Sequence, residues 1–329
     1  RKPLHNRPGP QSRRRVGRVR NIIQGRMEGL GIGIDLGGTR IKGAAFELSN
    51  GDLIFEETAP TRDGEVVEGF PAFVEEIRGL VSGFEARDSR TSAVIGLSSP
   101  GLADATASRI VAMPGRLEGL EGLDWPETLG RPVAVINDAH AALMGEIWQG
   151  AAAGVKDVIL LTLGTGVGGA IVTGGRLLRG HFGKAGHLGH SSLDIEGKPD
   201  ICGMPGTLED MIGNHNVSER TGGRYGSTAE LVKAVRSGEE VAKEAWGRSL
   251  RALGVSVASL VNILDPELIL IGGGISEAWG QIEVPLKDWM DEFEWRPGGG
   301  QVEIRRARLG PMAGAYGAAY FAMQRSENK

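Results

Sequence analysis

Regular apolar spacing begins at Gly31. Short apolar runs predict strands at Gly31–Asp35 and Ile41–Leu48, joined by the turn Leu36-Gly37-Gly38-Thr39, with Asp52–Thr58 as a third strand. Phe70, Phe73, Ile77 and Val81 recur at helical spacing and predict a helix over Val66–Ala86. Ala93–Leu97 reads as a strand ending in Ser98-Ser99-Pro100-Gly101. Val133–Ile136 reads as another, running into Asn137-Asp138 and an Ala-rich helix, Ala139–Gln149. The pattern then restarts with strand Val158–Leu163, a Gly-rich turn and strand Gly169–Val172. Helices are predicted from Leu208, Ser227 and Glu239 onward, and a last small-residue helix from Met312 to Met323. The longest apolar run, Leu253–Ile275, carries Asn262, Asp265, Pro266 and Glu267 in its middle. A bilayer span there would bury two carboxylates, so the run predicts a buried helix, Gly254–Leu264, then a break and the strand Leu268–Ile271. Strands interleaved with helices indicate α/β layers and no membrane span.

Composition sharpens this picture at three points. The 329 residues suit two ordinary domains or one large one, and 53 glycines fit many tight turns and close backbone approaches. A single cysteine, Cys202, excludes an internal disulfide framework and fits a reducing, cytoplasmic setting. The net charge of −4 hides an asymmetry, because residues 1–26 carry nine Lys/Arg and no acid. The rest holds 28 basic against 41 acidic side chains, which excludes nucleic-acid binding by the main body. The basic head, 1–27, reads as a disordered extension, or else as an arm for nucleic acid or a membrane surface; it lacks the apolar core of a secretory signal.

The restart is also a repeat of chemistry. Gly38-Thr39-Arg40-Ile41-Lys42-Gly43-Ala44 aligns with Gly164-Thr165-Gly166-Val167-Gly168-Gly169-Ala170, each in a turn between two apolar strands. Such turns offer backbone N–H groups and a hydroxyl to a polyphosphate. Gly164-x-Gly166-x-x-Gly169 matches the dinucleotide fingerprint, but a strand follows where that fingerprint needs a helix. The P-loop pattern does not occur.

These residues carry a resemblance. Asp35-Leu36-Gly37-Gly38-Thr39-Arg40-Ile41 resembles the phosphate motif of the ROK sugar kinases, in the actin/hexokinase-like superfamily. The likeness continues at Ser99-Pro100-Gly101, Asn137-Asp138-Ala139, Gly164–Gly169, Gly186–His190, Asp265–Gly274 and Leu309–Ala319. It implies two duplicated actin-like (ribonuclease H-like) α/β domains around an interdomain cleft. Residues 28–136 plus 312–325 would form the smaller domain and 137–311 the larger. It implies a homodimer, with a small-molecule sugar and nucleotide as ligands and ATP and Mg²⁺ as cofactors.

The resemblance also distributes roles. Asp138 is implied as the catalytic base toward the sugar 6-hydroxyl; on sequence alone it serves equally as the N-cap of the helix that follows. Gly101, Asn137, His187, His190 and Glu209 are implied as sugar contacts beside it. Asp35, Gly37, Gly38, Thr39, Arg40, Thr165 and Gly166 are implied to hold phosphates, and Gly272, Gly273 and Gly274 to lie beneath the adenosine. A carboxylate beside phosphates is reconciled by Mg²⁺ held at Asp35 through water; its other reading is a turn residue. Arg40 stands for the commoner Lys. Read cold, His187-x-x-His190 could be a metal pair. In the family pattern, His190 would join three cysteines on a structural zinc, but those positions fall on Asp200, Cys202 and Thr207, so no zinc is expected. His187 stands where most members have Glu, as in members resembling N-acetylmannosamine kinases.

The expected activity is therefore ATP-dependent phosphorylation of glucose at the 6-hydroxyl. N-acetylmannosamine, or another N-acetylhexosamine, is the alternative substrate. The non-enzymatic alternative, a sugar-sensing regulator, needs a winged helix-turn-helix before the sugar domain, and the Pro- and Gly-rich stretch before Gly31 does not suit one.

Overall fold

The computed structural model describes residues 27–113 and 115–327. The basic extension expected over residues 1–27 falls, except for Met27, outside the described residues.

Two five-stranded sheets form the frame. The first holds β1 (Leu30–Leu36), β2 (Arg40–Glu47), β3 (Asp52–Pro60), β4 (Val94–Ser99) and β5 (Ala134–Asn137), in the order β3-β2-β1-β4-β5. The second holds β6 (Val158–Leu163), β7 (Val167–Thr173), β8 (Arg176–Leu177), β9 (Leu268–Gly272) and β10 (Glu303–Arg306), in the order β8-β7-β6-β9-β10. In both, the first three strands pair antiparallel and the last two join the central strand in parallel. The sheets are topological copies. Their central strands are buried along nearly their whole length, as parallel strands covered on both faces must be.

Helices fill three layers. Helix α1 (Ala72–Asp88) covers the outer face of the first sheet, where Phe73, Ile77 and Phe84 join Ile32, Ile34 and Leu97. Between the sheets lie α2 (Asp138–Gln149) and α7 (Ala313–Glu327), in a core shared with Phe46, Ile136, Leu160 and Leu270. The outer face of the second sheet is covered by α3 (Leu208–Ile212), α4 (Thr228–Arg236), α5 (Glu240–Leu264) and α6 (Trp279–Phe293). Helix α7 thus returns to the first sheet after the chain has built the second. It packs there because glycines let backbone meet backbone. A β-carbon on Gly33 or Gly96 would stand 1.9 Å from the carbonyl oxygens of Ala315 and Ala318 respectively.

The expected helix at Val66 starts later, at Ala72. Val66–Val67 and Phe70–Pro71 pair instead as a short ladder, and Pro71 pushes the preceding Phe70 away from helical backbone angles. Gly254–Leu264 is the second half of one 25-residue helix, α5, closed by Asp265 in a left-handed conformation before Pro266. Helix α6 and strand β10 escaped the pattern. Pro285 lies inside α6, and only Ile304 is buried in β10.

Candidate active site

A cavity of about 800 Å³ opens between the two sheets, beside the helices that separate them. Its walls include Asp35, Gly37 and Lys42 from the first sheet, Asp138 from α2, and Gly272–Gly274 and Arg306 from the second.

Asp138 owes its position to Asn137. Strand β5 ends at Asn137, whose Oδ1 accepts the Ala139 and His140 N–H groups at 3.0 and 3.2 Å. Asn137 is therefore the cap of α2, and Asp138 is released from that task. The Asn137 amide donates to the Gly101 carbonyl (3.0 Å) and to Asp138 Oδ1 (2.9 Å), which also accepts the Ala139 N–H at 2.8 Å. Gly101 has φ +96°, and a β-carbon there would strike the Ala112 carbonyl at 2.5 Å, so this acceptor is available only from glycine. Asp138 is exposed and lines the cleft. The displacement of bulk water by the cleft walls pushes its pKa upward, and the Asp35 carboxylate adds to this. The Ala139 N–H and Arg116 act the other way, as does His187 when its ring is protonated.

Asp35 faces the cleft from β1. Its Oδ2 accepts from Lys42 Nζ at 3.2 Å and its Oδ1 from Ser98 Oγ at 2.9 Å; Lys42 is its register partner on β2. The adjoining turn is fastened by Thr61, fully buried, which donates to the Gly37 carbonyl at 2.6 Å. Gly38, Thr39 and Arg40 stand on its open side, with Thr39 and Arg40 exposed.

The second turn is held from behind. Asn214 N–H donates to the Gly164 carbonyl (2.9 Å) and His215 N–H to that of Thr165 (3.0 Å). Glu209 Oε2 accepts the Val167 N–H at 2.8 Å, and a β-carbon on Gly166 would stand 2.2 Å from that same oxygen. Gly164 and Thr165 line a second cavity of about 420 Å³, with Asn214, Thr228 and Arg236, and Gly274 borders both cavities. Thr228 Oγ1 is buried there without a partner among the described residues.

His187 and His190 lie on the loop that follows β8, their rings stacked at 6.4 Å. His187 Nδ1 is 2.9 Å from the Lys184 carbonyl, which can only accept, so Nδ1 carries the proton and the neutral ring offers Nε2 as an acceptor. His140, buried on α2, donates to the Ala185 carbonyl at 2.8 Å and ties this loop to the helix that bears Asp138. Burial lowers the His140 pKa to about 4, so its ring stays neutral near pH 7.

His190, Asp200 and Cys202 come together, their donor atoms within 4.8 Å of one another. His190 Nδ1 meets Asp200 Oδ2 at 2.6 Å, and its Nε2 stands 3.6 Å from Cys202 Sγ. The two ring nitrogens are thus turned to different partners, and one ion can take only one of them. The position expected for a further ligand is Thr207, whose hydroxyl donates to Asp210 at 3.3 Å. These donors do not fit a closed zinc site.

Lys42, Arg116, Glu146, Asn214 and Thr228 escaped sequence reasoning. The Lys42 position follows from the hairpin register opposite Asp35. Fully buried Glu146 looks in sequence like one more polar residue of α2. It accepts the Ala151, Arg308 and Leu309 N–H groups at 2.6–2.8 Å, tying α2 to the segment before α7.

The sequence profile of the ROK family matches residues 31–325. The chain is 30% identical to the glucokinase of Halalkalibacterium halodurans, over 90% of this chain and 96% of that one. It is also 30% identical to the N-acetylmannosamine kinase of Escherichia fergusonii, over 88% of this chain and 97% of that one. Among solved structures, it resembles a ROK family glucokinase from Streptomyces griseus in complex with glucose and AMPPNP. The TM-score is 0.71 at 29% identity, covering 90% of this chain and all of that one.

Proposed function

The chain belongs to the ROK family, and we propose that it is an ATP-dependent hexose kinase that phosphorylates glucose at the 6-hydroxyl. The observation that carries this reading is Asp138: a carboxyl with a raised pKa, oriented by Asn137, in a cleft lined by the first glycine turn and sharing Gly274 with the cavity lined by the second. Its raised pKa suits a general base working near neutrality. Asp138 takes the proton of the 6-hydroxyl as that oxygen bonds to the γ-phosphorus. The bond from the γ-phosphorus to the bridging oxygen breaks, and ADP leaves. The turns Gly37–Arg40 and Gly164–Gly166 supply N–H groups to the phosphates, and the cavity at Asn214 and Thr228 takes the nucleoside. Closure of residues 28–136 and 312–325 over 137–311 expels water from the reacting groups.

Both Asp35 oxygens already accept hydrogen bonds, so Asp35 would hold Mg²⁺ through water. When bound, Mg²⁺ would neutralise phosphate charge. Zinc has no place here, and the loop at Asp200 is held by hydrogen bonds instead. Glucose is favoured because His187 commits its N–H to Lys184 and offers an acceptor, as Glu would. The second substrate reading, N-acetylmannosamine, rests on the relative of that activity at equal identity. We place the protein in the cytoplasm as a homodimer; among the described residues no helix is long and apolar enough to cross a membrane. The deciding experiment is a sugar panel with ATP and Mg²⁺, reading ADP release and the dependence on each sugar. Glucose should give the highest kcat/KM. Turnover with no sugar would overturn the kinase reading, and a tenfold preference for N-acetylmannosamine would overturn the substrate.

A further inference from the structure

Resting on that kinase reading, we propose that Arg116 is a further catalytic residue, whose guanidinium contacts the phosphoryl group during its transfer. The residue sits on the loop between β4 and β5, in none of the motifs that carry the family resemblance. Two observations place it beside the first turn and within electrostatic reach of Asp138. A β-carbon on Gly38 would lie 3.8 Å from Arg116 Cδ, so the side chain stands over the first phosphate turn. Its positive charge also reaches Asp138, where it favours the ionised carboxyl. The other charge acting on Asp138 is Asp35, which opposes ionisation; His187 favours it only when its ring is protonated.

The loop is anchored while the side chain is free. Asp63 accepts the Leu117 and Glu118 N–H groups, each at 2.9 Å, and Leu117 is buried in a left-handed conformation at φ +58°. The Arg116 side chain is exposed and has no ion pair or hydrogen bond among the described residues. A planar cation held at its root and unspent at its tip suits the equatorial oxygens of a transferring phosphoryl group, whose charge is spread over three atoms.

Arg116→Gln and Arg116→Lys test this. For Arg116→Gln, kcat for glucose should fall about 10–100-fold with KM for glucose within about threefold, and Arg116→Lys should recover only part of the loss. Loss of the cation should also move the acid limb of the pH profile upward, because Asp138 then ionises less readily. A binding arm needs no turnover: with Mg²⁺ and glucose, affinity for ADP with aluminium fluoride should fall at least about tenfold, while ADP alone binds as in the wild type. If that affinity is unchanged, the proposal fails, even where the sugar panel has already overturned the kinase reading. A rise in KM for glucose with kcat intact would place Arg116 on the sugar and equally overturn it.

Discussion

At the same step of the antiparallel ladder, the first sheet pairs Asp35 with Lys42 and the second pairs Thr162 with Gly168. The strand order, the hairpin and the parallel neighbours are the same in both halves. The side chains facing the cleft differ. The first half brings a carboxylate, an ammonium and, after β5, Asp138; the second brings glycines, hydroxyls, the charged side chains of Glu277, Arg306 and Arg308, and a turn held from behind by Glu209. A duplicated frame needs only its apolar positions and close backbone approaches kept, so the few polar positions at the strand ends can diverge. On the proposed reading the first half carries the base, whose loss is read in kcat, and the second carries recognition, whose loss is read in KM.

Asp138→Asn tests the first half with the largest expected effect. The substitution keeps the shape and removes the base, so kcat should fall about 10²–10⁴-fold while sugar affinity changes little. In the wild type the base must be ionised. Its raised pKa therefore places the acid limb of kcat/KM above the ordinary aspartate range, with activity lost as pH falls through it. Near-native turnover by the purified variant would remove Asp138 from the chemistry.

His187→Glu tests the second half. A hydrogen bond to a charged acceptor is worth about 1.5–3 kcal/mol against about 1 for a neutral one, so glucose kcat/KM should rise about 2–30-fold. The gain should appear in KM. An unchanged or lower value would mean that Nε2 does not serve as a sugar acceptor.

How much of this was legible in the chain varies by region. The two hairpins and their turns were readable because short apolar runs and glycine punctuation are local signals. Strand Val158–Leu163 matches its expected bounds to the residue. Helix α6 was not readable, since Pro285 argues locally against a helix that tertiary packing nevertheless holds through Ile282, Leu286 and Met290. In the site, residues inside short motifs were nameable, while Arg116 beside the first turn and Asn214 and Thr228 at the second cavity come from loops and a helix start, where only the folded chain sets proximity. The histidines were nameable but not their tautomers. Which His187 nitrogen is an acceptor depends on the Lys184 carbonyl, three residues away in sequence and fixed only by the loop's fold.

Gly166→Ala should give a smaller change, again in the second half. The new methyl would meet Glu209 Oε2 at 2.2 Å, and that carboxylate can swing away. Swinging breaks its bond to the Val167 N–H, so stability should drop by about 1–2 kcal/mol. KM for sugar and ATP should rise about threefold to tenfold for a displacement of that cost. A kcat loss as large as that of Asp138→Asn would break the division between the halves.

The smallest effect is expected from metal removal. Asp200 organises its loop through hydrogen bonds: Oδ1 accepts the Cys202 and Met204 N–H groups at 2.8 and 3.0 Å, while Oδ2 takes the His190 ring at 2.6 Å. Despite the desolvation that opposes it, these bonds hold the Asp200 pKa below its usual value, as for a carboxylate already satisfied by donors. A zinc ion would have to displace them and would find one thiolate, one carboxylate, one ring nitrogen and a poor hydroxyl ligand at Thr207. Elemental analysis of protein purified without chelator or added metal should therefore find well under one zinc per chain. EDTA should leave both Tm and KM for glucose unmoved when Mg²⁺ is restored for the assay. Stoichiometric zinc, or a Tm that collapses with EDTA and returns with zinc, would show that an ion replaces this hydrogen-bonded arrangement and would shift the second half from hydrogen-bonded to metal-built recognition.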